Sequence, residues 1–151
     1  HHSDKRATPD QVLKYLSKVS GPFLDRIDLQ VELPRLSTEE LQSTKPEESS
    51  YEIRKRVEQA VLFAYQRQGK NNSSLSTKEL QKYCALSEAD AHFLGRAAEK
   101  LSLSPRSYHK VLKVARTISD LNLQHEIDLK SLKEALSYRA FERLLSQLTA
   151  Y

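Results

Sequence analysis

Helix-start signals divide this chain. Ser49 with Glu52, Ser76 with Glu79, Ser87, Ser104 followed by Pro105, and Asp128 each stand just ahead of apolar residues spaced three and four apart. A serine or aspartate side chain can accept a hydrogen bond from the unpaired N–H groups of a first helical turn, and a glutamate three residues on can return one. Proline at the first helical position removes only an N–H that would have had no partner there. From residue 51 onward, the caps and the 3.6-residue spacing predict helices throughout. Ile53, Val57, Ala60, Val61 and Ala64 form the first stripe, and a short second helix runs through about Cys84. Leu94, Ala97, Ala98 and Leu101 line a third helix, and residues 105–121 make a fourth. Leu129, Leu132, Leu136, Phe141, Leu144, Leu145 and Leu148 point inward from a fifth. The expected fold class is mainly α, a compact helical bundle.

The first third of the chain is different. Val12, Leu13, Leu16 and Val19 have helical spacing, and Gly21-Pro22 breaks that helix. Leu29, Val31 and Leu33 then alternate with Gln30 and Glu32 until Pro34, the pattern of a short strand. A lone strand is not stable, so its sheet partners are expected outside this chain. Residues 35–50 are polar and read as a linker. The chain opens on His1-His2 and contains no methionine, which is read as a tag remnant or an internal boundary.

Composition removes several function classes. No apolar run approaches the roughly 18 residues a membrane span requires, and no signal peptide is visible, so a cytoplasmic protein without membrane contact is expected. Cys84 is the only cysteine in 151 residues, which excludes an internal disulfide or a cysteine-rich zinc site. It is expected in the core, and Tyr83, Tyr108 and Tyr138 are expected to pack rather than to stack on bases. His92, His109 and His125 are too scattered for a metal site, and none is expected. The net charge of +4 is too small to imply nucleic acid by itself.

The fourth helix carries an unusual charge pattern. On a helical wheel Tyr108, Val111, Leu112, Ala115 and Ile118 fall on one side, and Arg106, His109, Lys110, Lys113 and Arg116 on the other. No acidic residue occurs from Leu101 to Ser119. A solvated helix face normally mixes signs, because opposite charges three or four apart support the helix. The basic face is either simply solvated or paired elsewhere, or it serves one of two functions. Arg106 in the first turn, near N–H groups that favour anions, suits a phosphate site together with Lys110. Lys113 and Arg116 suit contacts to a nucleic-acid backbone. A second arginine invites the same question. Arg26 lies between Asp25 and Asp28, just after the Gly21-Pro22 turn, and is placed to be aimed at an anion. One aspartate is expected to steer the arginine and the other to stand at the strand start, rather than the pair to do acid–base chemistry.

Five segments together resemble one family. They are SGPFLDRIDLQVELP (20–34), SYEIRKRVEQA (50–60), NNSSLSTKELQKYCALS (71–87), LSLSPRSYHKVLKVARTISDL (101–121) and DLKSLKEALSYR (128–139). In this order they are similar to the C-terminal part of Mg-chelatase-like AAA+ ATPases of the ComM/YifB type. The resemblance implies that residues 1–34 are the C-terminal edge of an AAA+ α/β core, 35–50 a linker, and 51–151 the helical lid. It implies that Arg26 is an arginine finger acting in trans on a neighbouring subunit of a hexameric ring, and that Arg106 is the sensor-2 residue contacting ATP phosphate. The chain's partners would be the rest of its own core, the neighbouring subunits and DNA. ATP and magnesium would belong to the full-length parent, with neither expected on this chain. Ser102 stands where the family has glycine, and Pro105 and Lys110 replace its commoner alanine and arginine. No G-x-x-x-x-G-K-[ST] phosphate loop and no acidic Walker-B strand occur, so the chain alone is not expected to hydrolyse ATP. The alternative is a stand-alone helical nucleic-acid-binding domain that uses the basic helix 105–121.

Overall fold

The computed structural model describes residues 47–139 and, ahead of them, residues 11, 14, 26–31, 33–35, 37, 38 and 42. Among these, five α-helices follow in order: α1 Ser50–Gln68, α2 Thr77–Tyr83, α3 Glu88–Lys100, α4 Pro105–Leu121 and α5 Leu129–Ser137. A single 3-10 turn, Asn72–Ser74, lies between α1 and α2. Of the expected helix at 10–19 only Gln11 and Lys14 are described, both helical. Its apolar residues Val12, Leu13, Leu16 and Val19, the Gly21-Pro22 turn, Asp25, and the residues Phe141, Leu144, Leu145 and Leu148 lie outside the described residues. No helix among the described residues is long and apolar enough to cross a membrane.

The caps perform as the sequence indicates. Ser49 and Glu52 close a reciprocal capping box on α1, and Ser76 and Glu79 close another on α2. Ser87 accepts from the N–H of Asp90, Ser104 from that of Ser107 with Pro105 at the first position, and Asp128 from that of Ser131. Each such cap stabilises its helix by about 1 kcal/mol. Gly69 ends α1 in the left-handed region at φ 73°, where glycine carries no steric penalty.

Helix α4 is the axis of the bundle, packed against α5, α1, the 3-10 turn and α2. Val111, Leu112, Ala115 and Ile118 of α4 meet Leu132 and Ala135 of α5, together with Leu75, Leu80, Cys84, Leu94 and Ile127. Cys84 is a core residue, as expected, and burial pushes its thiol pKa up to about 11. Tyr83, Tyr108 and Tyr138 pack partly buried against the same cluster.

Three expectations change. The α1 stripe is buried only at Ala60 and Ala64, while Ile53, Val57 and Val61 remain exposed, because α4 covers only part of α1. Leu129 is likewise exposed rather than inward. The third change concerns the strand. Around Gln30 the described residues form no ladder, only an isolated parallel bridge to Arg139, in which the N–H of Gln30 donates to the carbonyl of Tyr138 at 2.9 Å. Leu29, Val31 and Leu33 are exposed. Alternation alone does not make a strand where no sheet partner stands beside it among the described residues.

Candidate functional site

The two ends of α4 hold the polar chemistry of the domain. At its N-terminal end Arg106 is exposed in the first turn. One residue further, Ser107 is buried and its hydroxyl accepts from the Arg139 guanidinium at 3.0 Å. That guanidinium also donates to the carbonyl of Ile27 at 2.9 Å. Arg139 is 1% exposed and lies just past the end of α5. One turn along α4 from Arg106, the Lys110 ammonium forms an ion pair with Asp28. Residues 27–30 are thereby tied at three points to α4 and the end of α5, and Arg26 opens this docked stretch with its side chain exposed. Asp28, Leu29, Lys110, Lys113, Glu134 and Tyr138 are among the residues lining a groove of about 510 Å³ beside the junction.

At the C-terminal end of α4 sits a buried ionic knot that the sequence reading missed. Asp120 is 1% exposed and carries two guanidiniums. Arg67, from the last turn of α1, pairs with it and donates to its second oxygen at 2.9 Å. Arg116 donates to it from one turn back in α4 at 3.2 Å. The Asn72 amide donates to Asp120 at 2.7 Å and to Thr117 at 3.1 Å, and its carbonyl oxygen accepts from Arg67 at 3.0 Å and from Gln68 at 2.7 Å. Arg116 also donates to the carbonyls of His125 and Gln124, satisfying backbone in the loop that leads to α5. Burial lowers the Arg116 pKa from its ordinary value, and the charge of Asp120 opposes that shift.

This knot corrects the reading of the basic face. The expected nucleic-acid contact at Arg116 needs an exposed side chain, yet Arg116 is 1% exposed and turned inward. At about 100° per residue Arg116 sits only about 40° from Leu112, close enough to join the buried arc once a second helix covers it. The end of α1 and the 3-10 turn supply that cover. Lys113 donates to the carbonyl of Ser73 at 2.8 Å and is half-buried. Lys110, expected beside a phosphate, instead meets Asp28. The signal for the knot was present in the sequence: Asp120 is the first acid after a long basic stretch, and it stands four residues from Arg116. His92 and His125 lie exposed at separate places, with the His125 ring 5.0 Å from Phe63.

A helical bundle whose central helix receives a separate arginine-bearing segment at one end defines a class of two-part module. The chain belongs to the family described as magnesium chelatase, subunit ChlI C-terminal, whose profile matches residues 47–139. A second profile, magnesium chelatase, subunit ChlI, matches residues 1–41. The chain is 45% identical over 145 residues to the competence protein ComM of Haemophilus influenzae, covering 95% of this chain and 28% of that protein. It is 46% identical over 144 residues to YifB of Salmonella typhimurium, with the same coverage of 95% and 28%. The match to YifB of Escherichia coli is 43% over 144 residues, again 95% and 28%. The chain thus spans a little over a quarter of the length of these relatives.

Proposed function

We propose that this chain is the lid and arginine-finger module of a hexameric AAA+ ATPase, coupling ATP binding and hydrolysis to conformational work on DNA in the cytoplasm. The observation that supports this reading most is the docking of the Arg26 segment on the helix headed by Arg106. A finger has to be held by something rigid, and a sensor has to move with what it reports. In this reading Arg26 presents its guanidinium to a neighbouring subunit, where charge builds on the equatorial oxygens of the transferred phosphoryl group. A guanidinium suits that task because it is always charged and offers a rigid fork of donors. Arg106 contacts phosphate from the lid side. Both side chains are exposed, which fits groups that act on phosphates held elsewhere. ATP supplies the phosphoryl group. Magnesium and the phosphate loop would be held by the remainder of the core, and no group of three His, Cys, Asp or Glu among the described residues is placed to hold a metal.

DNA enters through the resemblance to competence-type ATPases rather than through the basic helix. The stand-alone nucleic-acid reading needs a solvated row of cations on α4. Arg116 is withdrawn into the knot, Lys110 into a pair with Asp28, and Lys113 onto the carbonyl of Ser73. The direct test uses the full-length protein. Arg26→Ala should lower ATP turnover by about 10³- to 10⁵-fold while nucleotide affinity, followed with a fluorescent analogue, is retained. Turnover at the wild-type rate in that variant would overturn the finger assignment.

A further inference from the structure

We infer that Arg139 is a positioning residue that locks the finger segment and the sensor helix into one mechanical unit. This deepens the functional reading above and rests on it. The inference comes from a juxtaposition across the fold. A single buried guanidinium donates to the carbonyl of Ile27, the residue after Arg26, and to the hydroxyl of Ser107, the residue after Arg106. One side chain therefore sets the spacing between the backbones that carry the two candidate phosphate-contacting arginines. The Gln30 N–H bond to the Tyr138 carbonyl and the Lys110–Asp28 pair hold the same register from either side.

Packing alone does not account for an arginine here. Burying a guanidinium is costly, and an apolar side chain of similar volume often fills such a site with equal or greater stability. What an apolar side chain cannot do is bond two separate segments in fixed directions. Lysine keeps the charge but not the planar fork, so it can serve one acceptor well and not both at these angles. The chemistry that recommends arginine at position 139 is thus the need to hold two things at once. The consequence is directional. A change at the nucleotide read by Arg106 moves α4, and the clasp carries that movement to Arg26 and so to the next subunit's site.

The test compares Arg139→Lys and Ser107→Ala with wild type in the full-length protein. Hydrogen exchange at the Gln30 amide reports the docking directly. It should accelerate by about ten-fold in Arg139→Lys, the size of one charge-assisted hydrogen bond, and by less in Ser107→Ala. Exchange at Leu112 and Leu132 should not change, which separates undocking from unfolding. The kcat for ATP should fall by about the same ten-fold, with KM little altered. Unchanged Gln30 exchange and unchanged kcat in Arg139→Lys would overturn the clasp, as would equal acceleration at Leu112 and Leu132. The two readings fail separately. If Arg26→Ala leaves turnover intact, the finger assignment falls while Gln30 exchange still decides the docking. If Arg26→Ala abolishes turnover and Arg139→Lys changes neither readout, the clasp alone falls.

Discussion

The two ends of α4 solve the same problem with opposite consequences. Each buries an arginine to 1% exposure. At the C-terminal end Arg116 is satisfied by Asp120 and by carbonyls at 124 and 125, all within the bundle. At the N-terminal end Arg139 depends on Ile27, which lies 112 residues earlier and outside the bundle. The knot is closed, internal and paired by charge. The clasp joins the bundle to a distant segment: one bond ends on the Ser107 hydroxyl, another on the Ile27 carbonyl, and the Lys110–Asp28 pair sits at the rim. An end that holds itself together contributes to stability, whereas an end completed by another segment can transmit a change in that segment.

The carboxylates give the sharpest way to break this comparison. Asp120→Ala removes the buried counter-charge of Arg116 and of the partly buried Arg67 at once and should destabilise the domain by about 3–5 kcal/mol, read as a lowered urea midpoint. Asp28→Ala removes a pair whose acid is 65% exposed and should cost at most about 1 kcal/mol. Similar losses in the two variants would mean that the ends are not built differently. An Asp120 loss below the Asp28 loss would reverse the assignment of knot and clasp.

The sequence made one part of this contrast visible and hid the other. Helix starts at Ser49, Ser76, Ser87, Ser104 and Asp128 were legible because a cap is a local bond over three residues. Arg26 and Arg106 stood out because turns, helix starts and family motifs are also local. Arg116 was misplaced because a helical wheel assigns charges to solvent and cannot know that α1 returns to cover them. Its knot depends on Arg67 bonding Asp120 across 53 residues. The strand around Gln30 was over-read for the converse reason, since period-two alternation describes a face and not its partner. The role of Arg139 is not legible locally, because an arginine just past a helix end ordinarily reads as a solvated cation near the dipole. Its significance lies in distant acceptors.

A smaller effect compares the backbone at the same two ends. Ser102, two residues before the α4 cap, has φ 50°, and Leu123, two residues beyond α4, has φ 53°. Each ends a helix in the left-handed region: the N–H of Leu103 reaches the carbonyl of Ala98 at 2.9 Å, and that of Gln124 reaches Ser119 at 2.9 Å. The glycine found in the family where this chain has Ser102 now has a physical reason. Ser102→Gly should stabilise by about 0.5–1 kcal/mol, the left-handed penalty less the entropy glycine loses on folding. Leu123→Gly should gain a similar amount, because the Leu123 side chain is exposed. Thermal melts of the two variants would show whether the clasp end and the knot end tolerate the same strain. A loss of stability in Ser102→Gly would mean that its side chain does something the backbone argument omits.

The smallest expected effect concerns acid, and it belongs to the knot side of the bundle. Glu79 closes the α2 capping box, accepting from the N–H of Ser76 at 2.8 Å and from its hydroxyl at 2.7 Å, and it pairs with Lys70 at 2.6 Å. Lys70 follows the Gly69 cap of α1, so the pair joins two elements that flank the 3-10 turn. The Lys70 bond first and the Ser76 bonds next lower the Glu79 pKa to about 2, from an ordinary 4.5. A depressed carboxylate contributes stability that is fully present above its unfolded pKa and is lost as pH falls through its folded one. The contribution of Glu79 should therefore be intact above about pH 4.5 and disappear progressively towards about pH 2. Glu79 is solvent-exposed enough that salt should weaken its pair with Lys70. The check is a carboxyl carbon titration of Glu79 by NMR alongside urea midpoints through that window, in wild type and in Glu79→Gln. The variant should flatten part of the acid slope. An ordinary titration midpoint for Glu79 would show that the box and the Lys70 pair do not hold together in solution, and would leave Asp120 as the main carboxylate anchoring that end of α4.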